Sequence, residues 1–264
     1  MVSKQRQKAD GFRALHDGAA FVIPNPWDAG SARVLAALGF KALATTSSGF
    51  AFTLGRLDGG ATLDEVCAHT AELDRATPLP VSVDLENGYS VDAAGVAAAI
   101  AQVAEAGAVG ASIEDYDPTG RLYEMTEAVE RVAAAVEAAH GLAFGFVLTA
   151  RAENHIRGNP DLGDTIARLL AYEAAGADCL YAPGLRTADE IRAVCQAVTR
   201  PVNVLALPGL SLPEIVGAGA QRVSVGGALT WVAVNAMADA AREIRDHGDF
   251  SSLQVDVPLR DWLA

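Results

Sequence analysis

Asp84 and Glu86 stand two residues apart at the end of an apolar β-branched run, Val81 to Val83, and Gly88 follows two positions on. On a strand, residues two apart point to the same side, so both acids project together from its carboxyl end. One strand later Gly110-Ala-Ser-Ile-Glu-Asp115 again ends an apolar run in acids. Asp84, Glu86 and Glu114 thus form a place for a hard divalent cation, and Mg2+ suits it, since it takes a few carboxylate oxygens and keeps waters. Arg151 closes another apolar run. Arginine is rarely buried unpaired, so it reads as a contact to an anionic substrate or as an internal ion pair with Glu153 or Glu114.

Other candidates sit at equivalent positions. Ser47-Ser-Gly-Phe50 either caps the next helix or forms an oxyanion-binding turn. His155 is a general-base candidate or a plain loop histidine. Asn203 and Tyr181 would anchor a substrate carboxylate or satisfy buried backbone. Asp28 reads as a helix N-cap, and Cys179 as core.

The elements that must hold these residues alternate regularly. β-like runs fall at 20–23, 42–46, 81–84, 110–114, 144–150, 179–182, 202–205 and 222–225. Helical stretches lie at 29–38, 63–75, 93–106, 126–139, 165–175, 188–198, 212–217 and 230–245. Gly39, Gly107, Gly141 and Gly176 mark helix ends where a left-handed cap is expected. Eight strands alternating with eight helices read as an α/β protein, a (β/α)8 TIM barrel forming one domain over 1–264, with a short tail at 246–264. A doubly wound sheet is the competing fold; no Gly-x-Gly-x-x-Gly follows the first strand, which disfavours a dinucleotide-binding version. Barrels of this kind place their chemistry at the carboxyl ends of the strands.

The chain has 264 residues, long enough for a large core. Its net charge of −13 argues against nucleic acid and anionic membranes as partners. No apolar run is long enough to span a bilayer and the N-terminus lacks a signal-like apolar core, so a cytoplasmic location is expected. The three cysteines, Cys67, Cys179 and Cys195, have no metal-like spacing and are expected to be reduced and mostly buried.

Several phrases carry a family resemblance: Asn25-Pro-Trp-Asp-Ala-Gly-Ser-Ala-Arg33, Thr46-Ser-Ser-Gly-Phe50 with Gly55-Arg-Leu-Asp58, Asp84-Leu-Glu-Asn-Gly-Tyr89, Ile113-Glu-Asp115, Thr149-Ala-Arg151 and Pro201-Val-Asn203. In this order, from about Phe21 to Ile244, they resemble the isocitrate lyase/phosphoenolpyruvate mutase superfamily. The resemblance implies a Mg2+-assisted site (Mn2+ is the alternative) that cleaves or forms a bond beside an α-oxo carboxylate through an enolate. It makes Asp84 the principal metal ligand, with Asp58, Glu86 and Glu114 holding the ion through waters. Ser48 with the amides of Gly49 and Phe50 would grip a substrate carboxylate, and Arg151 another substrate oxygen. One preorganised donor of this kind is typically worth about 3–4 kcal/mol in the barrier.

The departures narrow the activity. Glu86 replaces the usual second aspartate. After the fourth strand the related lyases carry a Lys-Lys-Cys-Gly-His-like loop, and phosphonate-processing members a loop with lysine and asparagine. Here Asp115-Tyr-Asp-Pro-Thr-Gly-Arg-Leu-Tyr123 has no cysteine, lysine, asparagine or histidine. The reading is a lyase acting on a small 2-oxo or 2-hydroxy di- or tricarboxylate, oxaloacetate-, methylisocitrate- or 2-oxoglutarate-like. The alternatives are a carbon–phosphorus mutase or phosphonopyruvate hydrolase, and a non-catalytic oxo-acid binding protein. Arg151, Glu114, Asp58 and Tyr116 make up the catalytic set; Tyr116, Arg121 and Tyr123 would close as a lid hinged at Gly120. The eighth helix shows an apolar stripe, Val232, Ala236, Met237, Ala240 and Ile244, expected to be buried. Relatives exchange this helix between subunits, which implies a homodimer or homotetramer.

Overall fold

The structure, a computed structural model, describes residues 3–263. Eight parallel strands form one sheet in the order β1-β8-β7-β6-β5-β4-β3-β2. They are β1 (Phe21–Ile23), β2 (Leu43–Ala44), β3 (Val81–Asp84), β4 (Gly110–Glu114), β5 (Val147–Arg151), β6 (Cys179–Tyr181), β7 (Val202–Leu205) and β8 (Arg222–Ser224). The seam between β1 and β2 has no ladder. Instead the Ala44 amide donates to the Pro24 carbonyl at 3.1 Å, and the Asn25 amide group donates to the Thr45 carbonyl at 2.9 Å. Asn25 Oδ1 also accepts from the Val225 and Gly226 amides, both at 2.9 Å. One buried asparagine therefore nearly closes the barrel where strand pairing stops.

The helices are α1 (Lys4–Asp17), α2 (Ala29–Ala37), α3 (Ser47–Thr53), α4 (Leu63–Ala76), α5 (Ala93–Glu105), α6 (Met125–His140), α7 (Leu162–Ala174), α8 (Ala188–Ala197), α9 (Leu212–Gly217), α10 (Ala228–His247) and α11 (Leu259–Leu263). Alanine explains how they fit so tightly. On α5, Val96, Ala99, Ile100 and Val103 are fully buried; on α6, Ala135 and Ala139 meet the same core. Small side chains let the two helices approach each other and the sheet closely. Asp28 caps α2 in a reciprocal box with Ser31, as its position suggested.

Several features differ from the periodicity reading, which also lacked the short helices α3 and α11. Helix α1 is absent from it; mostly polar, it covers the amino-terminal end of the barrel with only Ala9 and Phe12 fully buried. Gln5 donates from α1 to the Ala104 and Ala108 carbonyls, and Lys8 pairs with Asp74 at 2.6 Å. Gly141 has φ −73, so unlike Gly39, Gly107 and Gly176 it does not use the left-handed region; the α6 end closes through ordinary turn bonds. The apolar stripe of α10 is not buried: Val232 is 67% and Met237 62% exposed, and Thr230 is the buried residue of the helix. The tail folds back so that Arg33 Nη1 on α2 donates to the Leu263 carbonyl at 2.7 Å. All three cysteines are free; Cys179 is buried and Cys67 and Cys195 partly so. Among the described residues, no helix is long and apolar enough to cross a membrane.

Candidate active site

Strand register alone brings most of the candidates into one row. Glu114 pairs with Arg151, Arg151 with Tyr181, Tyr181 with Asn203, and Asn203 with Arg222, on five successive strands. Asp84 ends β3 beside them, and the Glu114 amide donates to the Glu86 carbonyl at 2.8 Å, which fixes these two acids side by side. A cavity of about 160 Å3 opens at the carboxyl ends of the strands, walled by Asp84, Arg151, Ser48, Tyr181, Asn203 and Arg222 among others. A second cavity, about 420 Å3, shares Ser47, Asp58 and Arg151 with it and reaches Glu86, Glu114 and Tyr116.

Arg151 organises the mouth. Nη1 lies 2.8 Å from Asp84 Oδ1, and Nη2 lies 3.0 Å from Glu114 Oε2 and 2.7 Å from Glu153 Oε1. The internal ion-pair reading of this residue is what the structure shows, with Glu114, Glu153 and also Asp84 as partners. Its guanidinium also lies over the Tyr181 ring, 5.2 Å from the centroid, and burial pushes the Tyr181 phenol up to about 12. Glu153 is 1% exposed and clamps two arginines, since its second oxygen takes Arg157 Nε at 3.0 Å. Asp84 is held at its amide and at both carboxylate oxygens: besides the Arg151 contact at Oδ1, its amide donates to Thr45 Oγ1 at 2.8 Å and its Oδ2 accepts from the Ser47 amide at 3.2 Å.

Glu86 and Tyr89 sit in a turn with left-handed φ values of 45 and 53, uncommon for such residues, and the Tyr89 hydroxyl donates to Glu86. Burial raises the Glu86 carboxyl to about 7, against the Tyr89 hydrogen bond and with help from Asp84 and Asp58. Burial likewise raises Glu114, opposed by Arg151 and reinforced by Glu153 and Asp84. Five carboxylates (Asp58, Asp84, Glu86, Glu114 and Glu153) therefore face two guanidiniums, Arg151 and Arg157. Hard oxygen donors in negative excess fit a divalent cation in their chemistry. Among the described residues, however, no three acidic, histidine or cysteine side chains converge as a metal cluster. The reason is local: Asp84 and Glu114 are turned onto Arg151, and Glu86 onto Tyr89.

The remaining candidates divide. Ser48 reaches the cavity, with its hydroxyl 3.2 Å from Thr46 Oγ1. Gly49 and Phe50 stand behind it: the Phe50 amide donates to the Thr46 carbonyl, and the Phe50 ring stacks on His69 at 4.1 Å. Gly49 is required there, because a Cβ would lie 2.6 Å from Thr230 Oγ1 and Thr46 Cγ2. His155 points away from both cavities, its Nε2 3.9 Å from Glu190. Tyr116 lines the second cavity beneath Arg157, 4.2 Å from its ring centroid. The supposed lid is pinned: Asp117 Oδ1 accepts from Thr119 and from the Arg121 amide, and Arg121 also pairs with Glu127. Tyr123 is core, 3% exposed. Asp115 is structural as well, buried against Arg168 at 3.0 Å and the Tyr172 hydroxyl.

Arg157 and Arg222 escaped the sequence reading. Arg157 lies in a loop with no periodic signal. Arg222 stands at the start of a strand, where the rule that chemistry sits at strand ends points elsewhere.

Fold and mouth together define a (β/α)8 barrel with acids and an arginine gathered at the carboxyl ends of its strands, where barrels of this kind place their chemistry. The chain belongs to the phosphoenolpyruvate phosphomutase family, which it matches over residues 12–245. It is 53% identical to a candidate lyase/mutase from Burkholderia cenocepacia J2315, with a TM-score of 0.95 over 99% of this chain and 96% of the other. It is 31% identical over 254 residues to an oxaloacetate decarboxylase of Rhodopseudomonas palustris, covering 91% of this chain and 86% of that one. The crystal structure of 2,3-dimethylmalate lyase, a member of the PEP mutase/isocitrate lyase superfamily, is 26% identical, with a TM-score of 0.85 over 99% of this chain and 94% of the other. The motif resemblance therefore holds at superfamily level, and membership supports an enzyme.

Proposed function

We propose that the protein is a divalent-cation-dependent lyase that cleaves a carbon–carbon bond beside the carbonyl or carbinol of a small 2-oxo or 2-hydroxy dicarboxylate, oxaloacetate-like before larger acids. The observation that carries this reading is the convergence of Asp84, Glu114 and Glu153 on the Arg151 guanidinium at the mouth of a small cavity. The cavity walled by Arg151, Ser48 and Asn203 supports a small anionic ligand. Similarity to an oxaloacetate decarboxylase points the same way.

Asp84, with Asp58, Glu86 and Glu114, would hold Mg2+ or Mn2+. When bound, the ion supplies a positive charge that polarises a substrate carbonyl. Arg151, fixed by Glu153, orients a substrate oxygen and stabilises negative charge as it develops there. The Ser48 hydroxyl and Asn203 bind and orient carboxylate oxygens, Tyr181 covers the Arg151 face, and Tyr116 closes the outer cavity. No thiol, lysine or histidine lines either cavity, which disfavours cleavage that needs a cysteine acid. The exposed apolar face of α10 is, in this reading, covered by a second copy of the chain in a homodimer or homotetramer.

Turnover of oxaloacetate, methylisocitrate, dimethylmalate and phosphonopyruvate, each with and without Mg2+, tests the proposal. Mg2+-dependent loss of oxaloacetate is the expected result. Turnover of phosphonopyruvate alone would assign carbon–phosphorus chemistry instead, and no turnover with tight 2-oxoglutarate binding would make the protein a binder.

A further inference from the structure

Arg222 opens β8 with its side chain inside the barrel, and the residue is 5% exposed. Its guanidinium crosses the lumen: Nη2 donates to Thr149 Oγ1 on β5 at 2.9 Å, and Nε donates to Asn203 Oδ1 on β7 at 2.9 Å. Nη1 lies 3.1 Å from His16 Nε2 on α1. All three partners are neutral. For His16 the geometry settles this: Nδ1 lies 2.9 Å from the Phe12 carbonyl, so Nδ1 carries the hydrogen and Nε2 accepts from Arg222. Among the described residues no carboxylate forms an ion pair with Arg222, in a chain whose formal charge is −13. A desolvated guanidinium without a counter-charge is costly, and arginine is rarely kept that way.

Thr149 lies two residues below Arg151 on β5, hence on the same face and roughly 6–7 Å down the strand. Two guanidiniums are therefore stacked along the barrel. The upper one, Arg151, meets three carboxylates. The lower one, Arg222, meets none and forms part of the wall of the same 160 Å3 cavity, with Asn203 and Ser224 beside it.

We propose that Arg222 is an anion anchor on the cavity floor, taking the second anionic group of a dianionic ligand, a carboxylate, while the first sits at the level of Arg151 and Asp84. This rests on the reading of the cavity as the oxo-acid site. It makes the site selective for dicarboxylates over monocarboxylates of the same length, because a ligand without the second charge leaves the buried cation uncompensated.

Calorimetric binding of two unreactive ligands of equal chain length, succinate and butyrate, tests the anchor. The native protein is expected to prefer succinate at least tenfold. Arg222→Met roughly keeps the volume and removes the charge; succinate affinity of the folded protein should fall 10- to 100-fold and butyrate affinity stay unchanged. If Arg222 is only a peg between strands, the same variant lowers Tm and leaves the succinate preference intact, and the proposal fails. A native protein with no succinate preference refutes it too. Should Arg222→Met not fold, the His16 Nε2 resonance of the native protein decides: succinate shifts it and butyrate does not, whereas no shift at saturating succinate overturns the assignment. These are binding measurements, so they can fail while the turnover panel succeeds, and the reverse.

Discussion

Arg151 Nη1 lies 2.8 Å from Asp84 Oδ1, across the ends of two strands that are not neighbours in the sheet. The pair spans β4, whose own terminal acid, Glu114, meets the same guanidinium at 3.0 Å. A buried arginine with three carboxylate partners is preorganised to place charge, and its fork geometry allows no free rotation once Glu153 holds it.

Replacement Arg151→Met removes a fixed positive donor and leaves buried acids unpaired. Turnover should drop about 100- to 1,000-fold, the usual loss for one such donor, and urea unfolding should show a loss of about 3–5 kcal/mol. Retained activity with lowered stability would reduce Arg151 to a structural role.

Asp115 gives the opposite pattern. It is 3% exposed and ties Arg168, Tyr172 and the Glu153 amide together, so Asp115→Ala should cost about 3–5 kcal/mol in urea unfolding. Ligand affinity of the folded fraction should change little. An unaltered midpoint would contradict the network.

His16 and His69 set an acid limit on stability. Burial, with Arg222 beside it, lowers His16 to about 3, and burial lowers His69 to about 4. Above pH 6.5 both are neutral whether the chain is folded or not. Below 6.5 the unfolded chain takes up protons that the folded one refuses, so stability falls as pH falls, until each folded value is reached. The slope is at most about 1.4 kcal/mol per pH unit for each histidine. Burial raises Glu86 to about 7 and raises Glu114, which act in the opposite sense over this window. The difference in denaturant midpoint between the native protein and His16→Gln, followed from pH 7 to 4, therefore isolates the His16 part: the native protein should lose more stability than the variant, and equal slopes would refute it.

Helix α10 carries its apolar residues outward, with Trp231 45%, Val232 67% and Met237 62% exposed. Sedimentation should find a dimer or tetramer at micromolar concentration, and Val232→Glu with Met237→Glu should yield smaller species. A native monomer would leave this face unexplained.

Most of the architecture could be read from residue order, because β-branched runs and alanine-rich helices alternate with the period of a barrel. Asp84, Glu114 and Arg151 were legible for the same reason: each ends an apolar run, and parallel register then brings them together. Helix α1 was not, since its periodic apolar content is slight and its value lies in polar contacts such as Gln5 to Ala104. The partners of Glu86 were hidden as well, because they depend on left-handed φ values at two non-glycine positions. His155 stood open in the sequence between a general base and a plain loop histidine; the chain turns after Glu153 and sends it toward α8. Arg222 illustrates the limit: only the folded lumen shows that a residue at the bottom of β8 reaches Thr149 on β5.

Mg2+ titration of the native protein and of Asp84→Asn, followed by calorimetry and by oxaloacetate consumption in parallel, probes the mouth most directly. The native protein should bind one ion and consume oxaloacetate only with it, while Asp84→Asn loses both and keeps its fold. Equal ion binding and equal turnover in the two proteins would contradict the assignment of Asp84 as the residue on which the site is built.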